Sequence, residues 1–200
     1  MSPYKFAHLS SAHPRFDTRI FFKECTSLAN HGYDVSLIVA DGYGHEVRSN
    51  VAVYDVGASK GRLDRIRNVP DRVLAKAVDL DADIYHLHDP ELIPIGIRLK
   101  KLGKIVIFDA HEDLPKQILA KPYLNRLIRF FLSKILVRYE RWACRKFDAV
   151  ISATPHILDK FLKINPNSID VNNFPLLGEL SNTREWSKKQ NEVSYVGSIA

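Results

Sequence analysis

Three polar clusters in this sequence each follow a predicted strand and hold side chains that can do chemistry. The first begins at Ser10, the second runs from His86 to Asp89 and the third runs from His111 to Asp113. In an open, parallel α/β sheet, ligands bind beyond the carboxyl ends of the strands. We therefore expect the three clusters to face a common ligand site.

The first cluster, SSAHPRFDTR, leads from a strand into a helix. Its small residues Ser10 and Ser11 allow backbone N–H groups to approach an anion, and the start of the following helix favours negative charge. Arg15 and Arg19 are candidates to meet phosphate or hydroxyl groups, whereas Asp17 either caps the helix or contacts the same ligand. The cluster contains no glycine, which disfavours a dinucleotide site of the GxGxxG kind.

The second cluster contains two histidines, His86 and His88, on one face of an extended strand. Such a pair can bind a metal, but it also occurs without one, packed under neighbouring loops. The HxHxDH pattern of metallo-β-lactamase-like hydrolases is absent, because Asp89 follows His88 directly and Pro90 comes next. We expect no metal here. Asp89 either contacts a ligand, as His88 does, or caps a helix that begins at Pro90.

The third cluster places His111 next to two carboxylates, Glu112 and Asp113. A histidine can polarise or hydrogen-bond a substrate, and the carboxylates can hold sugar hydroxyls or shift the histidine pKa. The structural alternative is a capped, solvated loop. Two histidine-containing clusters at strand ends favour a function over solvation.

The elements that position these clusters alternate between short apolar runs and amphipathic segments. The apolar runs predict strands over residues 4–10, 35–40, 51–56, 83–87, 104–109, 147–152 and 168–171. Helical spacing predicts helices over 17–31, 62–80, 92–102, 124–145 and 155–163. This alternation predicts an α/β fold, a Rossmann-like parallel sheet with helices on both faces.

Composition excludes several other classes of protein. The chain has 200 residues, of which 46% are hydrophobic and 26% charged, so disordered, collagen-like and coiled-coil structures are excluded. No apolar run approaches the ~20 residues that span a bilayer, and no signal-peptide core is present, so we expect a cytoplasmic protein. The net charge of +6 favours anionic partners. The two cysteines, Cys25 and Cys144, are expected to be free thiols.

The end of the sequence predicts a domain boundary. Residues 1–180 form the predicted domain, residues 181–191 have the polar composition of a linker, and residues 192–200 begin a new apolar strand. We expect this strand to open a second α/β domain, the alternative being an edge strand of the first.

Several motifs, in this order, resemble bacterial family 4 glycosyltransferases: HLSSAHPRFDTRIFFKEC, DIYHLHDPELIPIG, IVIFDAHEDLP, ISATPHI, VNNFP and YVGSIA. The resemblance implies the N-terminal, acceptor-side half of a two-domain B-type fold. It also implies retaining transfer of a sugar from a nucleotide sugar to a saccharide or lipid-linked acceptor, in surface polysaccharide synthesis. The donor is a substrate, and no cofactor, divalent metal or nucleic acid is implied.

The resemblance also assigns site residues. His111 matches the catalytic histidine that approaches the donor sugar, and the loop from Ser10 to Arg19 faces the cleft near the acceptor and the diphosphate. The predicted substrate-binding residues are Ser10, Ser11, Arg15, Asp17, Arg19, His88, Asp89, Glu112, Asp113 and Thr154.

Two other function classes stay open. A metal-dependent hydrolase would bind a metal through a set drawn from His86, His88, Asp89, His111 and Asp113. It would lose activity when a chelator is added. A non-catalytic sugar- or nucleotide-binding module would bind its ligand without turnover.

The predicted helix 124–145 has a basic surface, with eight basic residues between Lys121 and Lys146 against one acid, Glu140. Its apolar stripe comprises Leu124, Ile128, Phe131, Ile135, Tyr139 and Trp142, and its basic stripe comprises Lys134, Arg138, Arg141 and Arg145. One interpretation packs the apolar stripe on the sheet. The other brings the basic stripe to an anionic membrane at the inner face of the cell, with Leu127 and Phe130 dipping into the interface.

Overall fold

The structure, a computed structural model, describes residues 4–176, 185–188 and 190. The predicted linker 181–191 is described only at 185–188 and 190, where Trp186–Lys188 forms a short 3-10 turn. The predicted strand over 192–200 lies outside the described residues. No helix in the described part of the chain is both long and apolar enough to cross a membrane.

Eight strands of the described residues form one sheet. They are β1 (Lys5–Leu9), β2 (Asp34–Val39), β3 (Glu46–Arg48), β4 (Val51–Asp55), β5 (Ile84–Leu87), β6 (Ile105–Ala110), β7 (Ala149–Ser152) and β8 (Ser168–Asp170). The α-helices are α1 (Thr26–Asn30), α2 (Arg62–Arg67), α3 (Val69–Leu80), α4 (Ile93–Lys101), α5 (Leu114–Ala120), α6 (Arg126–Cys144) and α7 (Pro155–Leu162).

The sheet has the order β3-β4-β2-β1-β5-β6-β7-β8, and every neighbouring pair is parallel except β3 and β4. The Rossmann-like prediction is confirmed. The antiparallel edge strand β3 and the helix α5 were not predicted, because a three-residue strand and a seven-residue helix are too short to show clear periodicity. The predicted helix 62–80 is two helices, α2 and α3, which meet at Asn68 just before Pro70.

Side chains alternate between the two faces of the sheet, and each face has its own core. On one face, Ala7, Leu9, Tyr85 and Phe108 pack with residues of α3, α4 and α7. On the other face, Leu37 and further residues of β2 and β4 pack beneath the first helical segment. Both cysteines are free and buried, as predicted.

The first helical segment differs from an ordinary α-helix. Residues Thr18–Cys25 are π-helical and continue as α1, and Phe22 N–H donates to the Asp17 carbonyl five residues back, at 3.3 Å. A π-helix pairs each residue with the fifth along the chain, so residues five apart stack on one face. Arg19 and Glu24 are five apart, and both side chains point toward the sheet. The predicted end of the helix at residue 31 agrees with the observed C-cap at His31, and Gly32 follows with a φ of 85°, which suits the end of a helix.

Helix α6 does not bury the stripe that its sequence suggested. Phe131 is 62% exposed and Ile135 is 60% exposed, whereas the buried positions are Ser133, Glu140, Ala143 and Cys144. The interpretation that packs the apolar stripe on the sheet is therefore wrong for most of the helix. The inner face instead meets α5, where Ser133 Oγ donates to the Pro115 carbonyl at 3.0 Å.

Candidate functional site

A groove of about 800 Å³ opens at the carboxyl ends of β1, β5 and β6. The strand order reverses between β1 and β5, which is the point where Rossmann-like sheets bind ligands. The groove is lined by residues of all three predicted clusters, with α2 on one side and α6 on the other. Among the lining residues are Ala12, His13, Arg19, Arg65, His88, Asp89, His111, Glu112, Lys121, Tyr139 and Asn173.

Asp89 joins the first two clusters. Its Oδ2 accepts hydrogen bonds from the Ser10 hydroxyl at 2.9 Å, from Ser11 N–H at 2.6 Å and from Ala12 N–H at 3.2 Å. His13 Nδ1 lies 3.0 Å from the other carboxylate oxygen. Asp89 is buried and its side chain caps no helix, so its hydrogen bonds shape the loop after β1.

These contacts shift two pKa values. The Asp89 hydrogen bond raises the pKa of His13 against the opposing effect of burial. Burial would raise the pKa of Asp89, but His13 and the donors of the loop outweigh it and lower that pKa. The carboxylate and the imidazolium therefore stabilise each other's charged form.

Arg19 joins the first cluster to the third. Its guanidinium donates to both carboxylate oxygens of Asp109, at 2.9 to 3.1 Å, and to the Val171 carbonyl at 2.5 Å. Its Nε also lies 3.1 Å from Glu24 Oε1. Arg19 and Asp109 are both buried, so this fork anchors the π-helical segment to the sheet at the floor of the groove.

Three imidazoles pack together on the same face of the sheet. His8 of β1 is in register with His86 of β5, and His88 follows two residues later. Their ring centroids are 4.4 to 5.2 Å apart, and His8 Nδ1 lies 2.9 Å from His88 Nε2. Burial lowers the pKa of all three, that of His86 to about 4, so the rings are neutral.

Two carboxylates flank the imidazoles and titrate in opposite directions. Burial, together with the nearby Asp109, raises the pKa of Glu24 to about 9. For Asp109, burial acts in the same sense, but His111, His86 and Arg19 outweigh it and lower the pKa. Asp109 is therefore held in its charged form, whereas Glu24 requires a neighbouring cation or a proton.

His111 stands between this buried layer and the groove. Its Nε2 lies 3.5 Å from Asp109 Oδ2 and 3.3 Å from His88 Nδ1, and its side chain is 19% exposed. Two buried groups therefore orient a histidine whose ring borders the groove. This placement supports the predicted role of His111.

Two predicted substrate-binding residues instead have structural contacts. Arg15 is buried and pairs with Asp41 at 2.6 Å and with Glu46, and it does not line the groove. Asp17 caps the π-helical segment by accepting from Arg19 N–H at 2.8 Å. Both residues fix the loop that follows β1.

The other predicted residues divide between groove and surface. Glu112 is exposed and lines the groove. Asp113 faces Lys160 at 3.0 Å and Lys116 at 3.3 Å, outside the groove lining. Thr154 caps α7 by accepting from Ile157 N–H at 3.4 Å, and it too lies outside the lining. Geometry thus gives no support to ligand contacts by Asp113 or Thr154.

The ligand set of the hydrolase alternative is not assembled. Asp89 is directed to the loop after β1 and Asp113 to two lysines, so neither joins the histidines. In the described residues, two groups have metal-ligand spacing. They are His8, Glu24, His86 and His88, and separately His88, Asp109 and His111.

Sequence reasoning missed His8, His13 and Glu24 as members of the site. A signal for His8 was present, because a histidine one residue before the end of β1 shares a sheet face with His86 if the strands pair in register. No signal identified Glu24, because its direction depends on the π-helical turn.

The fold and the groove define a class of protein, the Rossmann-like half of GT-B glycosyltransferases. A sequence model of glycosyltransferase family 4 matches residues 19–172, and the chain belongs to that family. No curated protein matches the chain.

Solved structures share the fold at low sequence identity. Sucrose-phosphate synthase from Thermosynechococcus elongatus is 12% identical, with a TM-score of 0.62 over 84% of this chain and 48% of that one. Trehalose 6-phosphate synthase from Burkholderia multivorans is 13% identical, with a TM-score of 0.52 over 82% and 42%. The kitacinnamycin glycotransferase is 11% identical, with a TM-score of 0.54 over 94% and 55%. The chain thus spans about half the length of these proteins.

Proposed function

We propose that this domain, together with a second one, transfers a hexose from a nucleotide sugar to a saccharide or lipid-linked acceptor with retention, in surface polysaccharide synthesis. The observation that carries the proposal is the position of His111, which borders the groove in a family 4 glycosyltransferase domain while Asp109 and His88 orient it. No organic cofactor takes part, because the nucleotide sugar is itself a substrate.

Within the groove, His111 is the catalytic residue, and it hydrogen-bonds a hydroxyl of the donor sugar as charge develops. Glu112 and the backbone of the loop from Ser10 to His13 contact the acceptor or the diphosphate. The buried residues Arg19, His88 and Asp89 act as positioning residues, since their polar atoms are taken up by protein partners.

The test uses the complete two-domain enzyme with the variant His111→Ala. We expect kcat to fall about 10²–10⁴-fold, the range for a positioned hydrogen-bonding or acid–base group, with an unchanged melting temperature. His156→Ala, on the exposed surface of α7, is the matched control and should keep full activity. A lower melting temperature with intact specific activity would make His111 a purely structural residue.

A second expectation follows from the length of the chain. Because it spans about half of the solved relatives, we propose that the donor is held mainly by a second domain and that residues 1–200 alone are inactive. The leaving diphosphate must be stabilised in the transition state, and one wall of a cleft does not supply this. Robust turnover of any nucleotide sugar by the purified 200-residue chain would refute this proposal.

We also propose that α6 brings the groove to an anionic membrane at the inner face of the cell. Leu127, Ile128 and Phe131 are each more than half exposed. Further along the same helix, a hollow of about 370 Å³ is lined by Arg138, Arg141, Trp142, Arg145 and Lys146, which suits an anionic headgroup. The same helix lines the groove through Leu136, Tyr139 and Glu140. A lipid-borne acceptor would thus reach the site.

Co-sedimentation with vesicles tests this contact. Binding should rise with the fraction of phosphatidylglycerol and fall with salt, since each basic residue near the surface contributes about 1 kcal/mol. The triple variant Arg138→Glu, Arg141→Glu, Arg145→Glu should abolish binding. The control triple Arg67→Glu, Lys101→Glu, Lys163→Glu, which is equally exposed and elsewhere on the surface, should retain much of it. Equal losses in the two triples would mean that only net charge matters.

A further inference from the structure

The most unusual buried cluster of the domain, which we call the three-histidine cluster, comprises His8, Glu24, His86 and His88; of these, the proposed transfer reaction uses only His88, as a positioning residue. The four side chains come from β1, the π-helical segment, β5 and the residue after β5. His8 and His88 are fully buried, and His86 and Glu24 are nearly so.

One oxygen of Glu24 faces three ring nitrogens at nearly equal distance. Glu24 Oε2 is 3.9 Å from His8 Nδ1, 3.8 Å from His86 Nδ1 and 3.8 Å from His88 Nε2. All four atoms lie within 4.8 Å of one another. Ligand atoms about 2.0–2.2 Å from a tetrahedral Zn²⁺ are about 3.4 Å apart. The three distances from Glu24 Oε2 are longer than this value and the 2.9 Å between His8 Nδ1 and His88 Nε2 is shorter, so the four atoms surround a space of about the size that a zinc ion requires.

Hydrogen bonding accounts for only part of this cluster, since His8 Nδ1 and His88 Nε2 share one hydrogen bond at 2.9 Å. Among the described residues, neither oxygen of Glu24 accepts a well-aligned hydrogen bond, and His86 Nε2 has no partner. One guanidinium, that of Arg19, lies beside two carboxylates, Glu24 and Asp109, so the buried group has an excess negative charge whenever both carboxylates are ionised. Arg19 approaches Oε1 of Glu24 and leaves Oε2 to face the imidazoles. A buried cation would balance that charge and use the lone pairs of Glu24.

The surroundings also match those of a metal site. Histidines that bind metals usually direct their second nitrogen to a carboxylate, which fixes the ring. Asp109 Oδ2 lies 3.8 Å from His86 Nε2 and 3.7 Å from His88 Nδ1, the ring nitrogens that are not proposed as ligands. One carboxylate thus stands behind two of the three rings.

We propose that His8 Nδ1, His86 Nδ1, His88 Nε2 and Glu24 Oε2 bind one divalent transition-metal ion, with Zn²⁺ as the best match. Four protein ligands close the coordination shell, which makes the site structural. The ion ties β1 and β5 to the π-helical segment. It also holds the ring of His88, whose other nitrogen faces His111. This inference opposes the sequence-based expectation of no metal and goes beyond the proposed transfer, because none of the four ligands contacts substrate.

The first experiment uses the purified 200-residue chain without substitutions. After equilibration with ZnCl₂ and desalting, mass spectrometry should find one zinc per chain. Zinc X-ray absorption should show three imidazoles and one oxygen at about 2.0–2.1 Å, and Co²⁺ in place of Zn²⁺ should give the intense visible bands of a tetrahedral site. A stoichiometry far below one, or a six-coordinate ion rich in water, would overturn the proposal.

Variants then locate the ion. Glu24→Gln and His86→Asn should each lower zinc affinity at least 10-fold. The double variant His31→Asn, His156→Asn removes two exposed histidines and should leave both affinity and stoichiometry unchanged. Zinc retained by both cluster variants, or lost from the double variant, would overturn the assignment. Because the readout is metal content, it is independent of whether the proposed transferase activity exists.

Discussion

Two regions invert the usual distribution of side chains between core and surface. One is the buried polar network at the strand ends, formed by Arg19, His88 and Asp109, and the other is the outer face of α6. In the network, Asp109, Arg19 and His88 are buried among charged and polar partners. On α6, Phe131 is 62% exposed and Ile135 is 60% exposed. Charged groups are costly to bury and large apolar groups gain by burial. Stability alone would favour the reverse in both regions, so the burial of apolar area explains neither arrangement.

The largest loss of unfolding free energy is expected from Asp109→Ala, in the buried network. The substitution leaves the buried guanidinium of Arg19 without its bidentate partner, and breaking a buried pair in this way costs about 3–5 kcal/mol of unfolding free energy. Urea titration measures it. The control is Asp71→Ala, which breaks the exposed Asp71–Arg98 pair and should cost at most about 1 kcal/mol. Equal losses would mean that the network is no better coupled than the surface.

A smaller change in stability is expected when pH alters the charges of His13 and Asp89. The pKa of His13 is raised above 6.5. Its contribution to the stability of the loop after β1 is therefore complete below pH 6.5 and is lost as pH rises through the folded-state pKa. The pKa of Asp89 is lowered below 3.8, so its contribution is present above pH 3.8 and is lost as pH falls further. The loop after β1 should therefore be most stable between about pH 4 and 6.5.

Nuclear magnetic resonance tests this window. The His13 ring should titrate above pH 6.5, and Asp89→Asn should move its midpoint downward. Amide exchange at Ser11 and Ala12, corrected for its intrinsic pH dependence, should accelerate as His13 loses its proton. A His13 midpoint unaffected by Asp89→Asn would show that the 3.0 Å contact does not persist in solution.

The smallest change in unfolding free energy is expected from substitutions on the outer face of α6. Replacing Ile128, Phe131 and Ile135 by Gln, a good helix former, should change unfolding free energy by no more than about 0.5 kcal/mol per site, because exposed positions contribute little. The same triple should lose vesicle binding. Cys144→Gln, on the buried face of the same helix, should destabilise strongly by burying an amide. A large destabilisation by the outer triple would show that this face is covered in solution.

Much of the fold was predictable because parallel strands buried on both faces give continuous apolar runs. Seven of the strands follow from such runs, for example Val51–Asp55, and their alternation with helices fixes the class. The placement of His111 and Glu112 at the groove also followed, since it requires only the rule on carboxyl ends.

The features that could not be predicted concern the orientation of side chains more than the type of secondary structure. The periodicity of α6 reveals an apolar stripe, but it does not say whether the stripe containing Phe131 or the one containing Ala143 faces the sheet. Asp89 and Arg15 were predicted to bind substrate, yet their contacts with Ser11 and Asp41 depend on tertiary packing, which the sequence pattern does not give. Glu24 reaches the three-histidine cluster only because a π-helical turn brings it under Arg19.

The fork made by Arg19 has a consequence for the time course of folding. Its hydrogen bonds join it to Asp109, 90 residues along the chain, and to Val171, 152 residues along. Loop closure over such separations is slow, and its entropy cost precedes any gain from the contact. Local helices and the β1–β2 pair can form first, with Arg19 still solvated. The guanidinium loses its water only when β6 and the segment after β8 arrive, so the floor of the groove is among the last parts of the domain to assemble.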